Sequence, residues 1–296
     1  MIEYYSYPKT SGKRVFSVLI PTWNNLDMLK LCVESIRRHS EYEHQIILHI
    51  NEGSDGSKKW AEEQRLDHTF SKENTGICLG MNAAAALAKT DYIAYLNDDM
   101  YVLPRWDRYL REEIEGIGHD YFFLSATTIE PRITRTNQCN IAPYNYGDGP
   151  SNFDEKRLLA EFADLPKADW NGATWPPNVV SRRIWNLVGG YSIEFSPGMY
   201  SDPDFSMKLW QLGVRYFKGL AKSRVYHFMS KSTGRINKNN GSKQFLHKWG
   251  LTNSTFSRFY LKRGSDFEGP LPDPEENLAL KIARMKSKIK IMLNLP

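Results

Sequence analysis

Residues 92–99, YIAYLNDD, run from a mostly apolar stretch directly into an Asn-Asp-Asp triplet. A short apolar run bounded by polar turn residues is typical of a strand buried within a sheet. We therefore predict that the apolar part is a strand and that Asp98 and Asp99 follow its end. Two earlier apolar runs, VFSVLI at 15–20 and QIILHI at 45–50, also lead into polar residues.

Helical patterns fill the intervals between these strands. Apolar residues recur at helical spacing between Leu29 and Ile36, and residues 57–65 and the small-residue run at 77–88 also fit helices. Alternating strands and helices predict an α/β fold with a mostly parallel, Rossmann-like sheet and helices on both faces. Ligands of such sheets bind at the carboxyl ends of the strands. We expect one site there, formed by the polar loops at 22–25, 51–57 and 97–99.

The second half of the chain has a weaker periodicity. We predict a strand at 121–128, followed by a long loop across 131–170 that contains one short helix near 155–162. A helix at 204–212 and two short strands at 214–218 and 223–227 should come next. A mobile loop at 231–243 is predicted after them.

Composition limits the classes of protein to consider. The 296 residues suffice for one large α/β domain or two small ones, and a formal charge of +5 is too mildly basic to indicate a nucleic-acid partner. Three cysteines at no metal or redox spacing favour a reducing compartment, and we expect Cys32 and Cys78 to be buried. The N-terminus lacks the apolar run of a signal peptide, and no apolar run is long enough to span a membrane. We predict a cytoplasmic protein.

The C-terminal residues 278–296 form a separate feature. Apolar residues recur there at helical spacing from Leu278 to Met292, and basic residues lie mostly on the other faces: Lys281, Arg284, Lys286, Lys288 and Lys290. A basic amphipathic helix can lie on an anionic membrane surface, here the inner face of the membrane. The alternative is a helix packed across the main domain or onto a partner subunit.

Several short motifs occur in a fixed order along most of the chain. They are IPTWN at 20–24, NEGSDGS at 51–57, NTG at 74–76 with Asn82, Asp98-Asp99, GGY at 189–191 followed by YSDPDF at 200–205, and VYH at 225–227. Together they resemble the family 2 glycosyltransferases of the GT-A fold. The likeness spans residues 16–227, and the ordered set is more specific than any one motif.

The resemblance implies an enzyme that moves a hexose-type sugar from a nucleotide diphosphate to an acceptor hydroxyl with inversion. A UDP-sugar is the favoured donor, and a glycan or lipid-linked acceptor in glycan, lipopolysaccharide or capsule biosynthesis is expected. It also implies a GT-A catalytic domain at 1–230, with a nucleotide-sugar half at 14–100 and an acceptor half at 101–230. Residues 231–296 would then hold the mobile loop and a C-terminal helical extension.

Asp98 and Asp99 match the DxD element of the family. A departing nucleotide diphosphate needs its charge neutralised, and one or two carboxylates can hold Mn²⁺ or Mg²⁺ for this purpose. By resemblance, Asp99 and His227 are the metal ligands, and Asp98 contacts the ribose or the metal. A strand-terminating turn and a surface histidine are the alternatives.

The family resemblance also assigns the nucleotide site. Glu52, and next Asn51, would accept a hydrogen bond from the base, although the family usually has paired Asp residues in this loop. The other residues expected to bind or shape the donor site are Pro21, Thr22, Asn24, Asn74, Gly76 and Asn82. Helix capping explains Asn74 almost as well.

Asp202 matches the family's catalytic base, which would deprotonate the acceptor hydroxyl. The acidic residue that usually precedes the base is Ser201 here. Asp204 is the alternative base or an acceptor contact, and either Asp residue could instead cap a helix. Gly189 and Gly190 are expected to let the backbone approach sugar or acceptor, with a plain turn as the alternative. Trp170, Trp175 and Trp210 are candidate sugar platforms, with burial in the core as the alternative.

Other functional classes fit less well. A nucleotidyltransferase of related fold would carry a Gly- and Arg/Lys-rich loop after the first strand, where this chain has Thr-Trp-Asn-Asn at 22–25. A catalytically degenerate GT-A module that binds carbohydrate or acts as a scaffold is the non-enzymatic alternative. A retaining transferase is also conceivable on this fold.

Overall fold

A single ten-stranded mixed sheet organises the protein. The computed structural model describes residues 1–8, 12–134, 139–229 and 237–295. The strands are β1 (Ile2–Tyr5), β2 (Phe16–Trp23), β3 (Gln45–Asn51), β4 (Asp67–Ser71), β5 (Tyr92–Tyr95), β6 (Met100–Val102), β7 (Phe122–Ile129), β8 (Trp170–Asn171), β9 (Asn178–Ser181) and β10 (Tyr216–His227).

The strand order is β1-β4-β3-β2-β5-β9-β7-β10-β6, with β8 paired to β10. Strands β4, β3, β2 and β5 are parallel neighbours, and β7 and β10 are also parallel. The remaining pairs are antiparallel. The predicted parallel core of the sheet is therefore confirmed, and antiparallel strands extend it on both sides.

Ten α-helical segments accompany the sheet within the described residues. They are α1 (Leu26–His39), α2 (Ser57–Glu63), α3 (Gly76–Ala85), α4 (Trp106–Ile117), α5 (Glu155–Glu161), α6 (Arg182–Val188), α7 (Ser201–Gln211), α8 (Gly241–Trp249), the single turn α9 (Asn253–Thr255) and α10 (Leu278–Met292). Short 3₁₀ turns lie at Phe162–Asp164 and Ile193–Phe195, and a π turn lies at Phe256–Tyr260. Among the residues that the structure describes, no helix is both long and apolar enough to cross a bilayer.

Hydrophobic cores lie on both faces of the sheet because strand side chains alternate. Val18 and Ile20 of β2 join one buried cluster with residues of α1 and α4. Leu19, between them in sequence, joins a second cluster with residues of α3, α6 and α7. Cys32 and Cys78 are buried free thiols in these clusters, as expected.

Three predictions of local structure were wrong. The expected short strands at 214–218 and 223–227 form one strand, β10, because pairing with β7 resumes after an irregularity between Leu220 and Arg224. Helix α7 begins at Ser201, so Asp202 and Asp204 both lie inside its first turn, and the N-cap is Tyr200. Residues 241–243 start α8, capped by the Asn240 side chain, whereas 231–236 of the expected mobile loop lie outside the described residues.

Candidate active site

A cavity of about 860 Å³ lies at the carboxyl ends of β2, β3 and β5. The start of α7 and the end of β10 complete its wall. Eleven of the residues singled out from the sequence line it: Pro21, Thr22, Asn51, Asn74, Gly76, Asp98, Asp99, Trp170, Trp175, Asp202 and His227.

Strand pairing brings Asp99 and His227 together. His227 at the end of β10 pairs with Met100 of β6, and the Asp99 carbonyl accepts a hydrogen bond from the Phe228 backbone N–H at 3.1 Å. The His227 Nε2 atom consequently lies 3.5 Å from Asp99 Oδ2, and its Nδ1 atom lies 2.8 Å from Glu130 Oε1. The imidazole is thus held between two carboxylates.

The two neighbouring carboxylates determine the pKa of His227. Burial lowers the pKa of His227, but the Asp99 and Glu130 carboxylates outweigh that effect and raise it to about 10. A histidine with one ring nitrogen fixed by a carboxylate and the other beside a second carboxylate is a common arrangement at metal sites.

This donor set suits a hard divalent cation such as Mn²⁺ or Mg²⁺. Asp99 could offer a carboxylate oxygen, and His227 could offer its Nε2 atom once that atom gives up its proton, with Glu130 holding the ring through Nδ1. Among the described residues, no group of three or more His, Cys, Asp or Glu side chains could hold a metal ion alone. The fit therefore requires ligand oxygens or water at the remaining positions, which is usual for Mg²⁺ in nucleotide sites.

Asp98 has a different environment from Asp99. Its Oδ2 atom accepts a 2.7 Å hydrogen bond from Thr22 Oγ1 at the end of β2, so two adjacent strand ends are tied together. Both Asp98 and Thr22 are buried at the cavity wall.

Asp202 lies half-buried at the cavity wall, in the first turn of α7. Its Oδ1 atom accepts a 2.8 Å hydrogen bond from the Tyr191 hydroxyl. Burial raises the pKa of Asp202 to about 7, and the hydrogen bond from Tyr191 acts in the opposite direction. A carboxylate of this kind can accept a proton near neutral pH.

Tyr191 is itself fixed from two sides. Asn82 accepts a hydrogen bond from the Tyr191 N–H at 2.8 Å and donates one to its carbonyl at 2.7 Å. The Tyr191 ring stacks on Phe205 with a centroid separation of 5.0 Å. Asn82 does not line the cavity. It holds Tyr191 in place, and the Tyr191 hydroxyl in turn donates to Asp202.

The Asn51 side chain has a fixed orientation at the end of β3. Its Oδ1 atom accepts hydrogen bonds from the Thr75 backbone N–H at 2.8 Å and from the hydroxyls of Thr75 and Ser71, both at 3.1 Å. A backbone N–H can only donate, so the atom that it meets must be the amide oxygen. The amide nitrogen is therefore the group that Asn51 has left to offer a ligand.

Five further residues singled out from the sequence do not line the cavity. Asn24 donates to Glu52 at 3.0 Å and accepts from the Ser54 N–H at 3.0 Å, so both side chains order the 51–57 loop. Gly189 ends α6 in the left-handed conformation, and the close approach of Asn82 leaves no room for a side chain at Gly190. Asp204 is fully buried, where it accepts hydrogen bonds from Lys248 at 2.9 Å and Trp249 at 2.8 Å.

The three tryptophans have different surroundings. Trp170 lines the cavity but is 4% exposed, with its ring against Gly219 and its Nε1 atom donating to Thr127. Trp175 also lines the cavity, beneath the Arg263 guanidinium. Trp210 belongs to a hydrophobic core and is absent from the cavity wall, so the core alternative was correct for it.

Some residues of the site were missed in the sequence. Glu130 follows the end of a predicted strand, the same signal that marked Asp98, and it could have been found. Tyr191 stands in the GGY motif, but only the glycines were considered. Arg132 and Lys238 add positive charge to the cavity wall, and no motif surrounds them.

Comparison with known proteins establishes the family. A sequence model described as Glycosyl transferase family 2 matches residues 17–164, half of the chain. The chain belongs to glycosyl transferase family 2. The family 2 match covers β2 to α5 and includes Asp98 and Asp99, whereas Asp202 and His227 lie beyond it. A search of curated proteins finds no match.

Solved structures share the fold of this family 2 protein. S. aureus TarS 1-349 is 15% identical over 72% of this chain and 60% of its own, with a TM-score of 0.52. Its complex with UDP-GlcNAc is 14% identical over 79% of this chain and 64% of its own, with a TM-score of 0.55. GalNAc-T7 with UDP, GalNAc and Mn²⁺ is 16% identical over 77% of this chain and 45% of its own, with a TM-score of 0.54. The chain therefore spans less than two thirds of each of these proteins, and the GT-A fold prediction is confirmed.

Proposed function

We propose that the protein transfers a sugar from a nucleotide diphosphate, preferably a UDP-sugar, to a hydroxyl of a glycan or lipid-linked acceptor. One observation carries the proposal: the Asp99–His227 pair and the Asp202 carboxylate line the same cavity of about 860 Å³. A site for a charged leaving group and a group able to accept a proton thus lie in one cavity large enough for a nucleotide sugar.

The donor half of the cavity suits a nucleotide. The Asn51 amide nitrogen can donate to a carbonyl oxygen of the base, and Asp98 can accept from a ribose hydroxyl. TarS has been solved with UDP and with UDP-GlcNAc, and GalNAc-T7 with UDP. These relatives support a UDP-sugar as the donor.

Asp99 and His227 would hold the metal. GalNAc-T7, which shares the fold, was solved with Mn²⁺, and this supports the use of a divalent metal. When bound, Mn²⁺ or Mg²⁺ neutralises the charge of the departing diphosphate. Glu130 would keep the His227 ring oriented toward that position. Arg132 and Lys238 supply further positive charge to the same cavity.

Asp202 acts as the general base in this proposal. It takes the proton of the acceptor hydroxyl as the hydroxyl oxygen bonds to the anomeric carbon. The bond from that carbon to the diphosphate oxygen breaks on the opposite face, so the anomeric configuration inverts. Anomeric NMR of the product tests this step, because net retention would require a different mechanism.

The proposal also extends to the biosynthetic pathway in which the protein acts. Glycan, lipopolysaccharide or capsule assembly would supply acceptors of the proposed class. A cytoplasmic location stays a prediction.

A thermal-shift panel tests the proposed donor. UDP, GDP, dTDP and CMP are added to the wild type, each with and without Mn²⁺ or Mg²⁺. Because a ligand that binds only the folded state raises Tm by mass action, we expect UDP with metal to give the largest shift. Absence of a shift with every nucleotide would favour the degenerate module, which should bind carbohydrate without regard to metal.

Replacement of Tyr191 by Phe tests how the base is tuned. Asp202 must be ionised to accept a proton, so activity should be present above about pH 7 and be lost as the pH falls through the pKa of Asp202. The Tyr191 hydroxyl stabilises the ionised carboxylate, and its removal should raise that pKa further. We expect the acid limb of the kcat/KM profile to move to higher pH in Tyr191→Phe. If kcat/KM in Tyr191→Phe were lower at high pH but its acid limb did not shift, the hydroxyl would have a purely structural role.

A further inference from the structure

Helix α10 is attached to the protein by one side only. Its residues Leu280 and Ser287 are fully buried on the inner side, and Arg284 donates a 2.9 Å hydrogen bond to the Tyr260 hydroxyl. The helix packs against α8 and α9. These contacts fix which side of α10 faces outward.

The outward side carries a continuous apolar stripe. Its residues are exposed by 38–83% and follow one another at intervals of four and three positions, which places them in one row along the helix. At 100° per residue, this row lies opposite Leu280 and Ser287. The stripe consists of Leu278, Ile282, Met285, Ile289 and Met292.

Lysines border the stripe on both sides. By the same helical geometry, Lys281 and Lys288 lie along one edge and Lys286 lies along the other, and all three are exposed. Residues 278–296 contain no Asp or Glu. The outward surface of α10 is thus apolar along its middle and positively charged along its edges.

We propose that this surface of α10 docks onto an anionic lipid bilayer. The apolar stripe would enter the boundary between headgroups and acyl chains, and the lysine stems would extend beside it to place their charges among lipid phosphates. Charge favours a bilayer over a second copy of this chain. In a symmetric dimer the same surfaces meet, so lysine edges would face each other with no carboxylate on the helix to pair with them.

The docking proposal does not depend on the proposed reaction. It requires only the outward stripe and its lysines, which lie on a helix separate from the cavity. Failure of vesicle binding would leave the donor and base assignments untouched, and failure of the nucleotide panel would leave docking untouched.

Vesicle co-sedimentation of the full chain tests the proposal. The probes are phosphatidylcholine vesicles with phosphatidylglycerol and vesicles of phosphatidylcholine alone. We expect binding to the anionic vesicles that weakens as salt is added. Met285→Asp/Ile289→Asp should reduce the partition coefficient by at least about tenfold, because both charged side chains would enter the bilayer interface.

Matched variants separate docking from general surface effects. Leu187→Asp/Ile193→Asp changes two apolar residues of similar exposure on another part of the surface and should bind vesicles as the wild type does. Lys281→Gln/Lys288→Gln should lose about fivefold in binding per lysine, whereas Lys30→Gln/Lys222→Gln should lose little. Circular dichroism checks that each variant is folded.

Three results would overturn the proposal. The first is a wild type that does not bind anionic vesicles. The second is equal loss of binding in the α10 variant and in the Leu187/Ile193 control. The third is a wild-type dimer, seen by sedimentation velocity, that Met285→Asp/Ile289→Asp converts to monomer while vesicle binding is absent, because the stripe would then be a subunit interface.

Discussion

Asp202→Asn is expected to lower kcat by about 10²- to 10⁴-fold, the usual contribution of a general base. The amide oxygen can still accept the 2.8 Å hydrogen bond from Tyr191, so the local geometry should survive. An amide cannot take the proton of an acceptor hydroxyl. Steady-state rates, measured with nucleotide affinity on the same samples, should show a loss of turnover with donor binding nearly unchanged.

Asp204→Asn is the matched control for this experiment. Asp204 lies two residues along the same helix, but its carboxylate is buried against Lys248 and Trp249. Loss of its charge leaves Lys248 without one partner, so we expect a lower Tm and a much smaller change in kcat. If Asp204→Asn abolished turnover while Asp202→Asn did not, the two residues would have to exchange roles.

Asp99→Ala should weaken metal-dependent nucleotide binding by at least about 10²-fold, since it removes the carboxylate that we propose binds the metal beside His227. Nucleotide binding without metal should change little. Titration of UDP at several Mn²⁺ concentrations separates the two contributions, because the mutant curve should no longer respond to the metal.

Two further variants sharpen the Asp99 result. Glu130→Gln retains the cavity shape but weakens the carboxylate that orients His227, and residues in this position typically contribute about 10- to 100-fold to metal affinity. Asp27→Ala removes an exposed carboxylate from α1 and controls for the change in net charge. A wild-type protein whose UDP affinity ignores Mn²⁺ and Mg²⁺ would exclude the metal assignment for Asp99 and His227.

Local sequence patterns predicted much of the fold. The apolar runs that became β2, β3 and β5 are buried, and each leads into polar residues at the cavity. This succeeds because period and turn chemistry are properties of neighbouring residues. The continuity of β10 was missed, since a strand that passes through an irregularity is held together by its partner β7 rather than by its own pattern.

Long-range contacts account for most of what the sequence did not reveal about the site. The two hydrogen bonds between Asn82 and Tyr191 join residues more than a hundred positions apart, and no spacing rule indicates them. The same limit applies to Asp204, which looks like its neighbour Asp202 in sequence. Only the docking of α8 against α7 distinguishes them, by covering one carboxylate and leaving the other at the cavity.

The stacking of Tyr191 on Phe205 couples the proposed base to the hydrophobic interior. Tyr191 both orients Asp202 and forms part of a buried cluster, so a small loosening of that cluster would misalign the carboxylate long before the chain unfolds. Heat inactivation should accordingly begin below the calorimetric transition. Turnover would then report on packing in this half of the protein more sensitively than any measure of secondary structure.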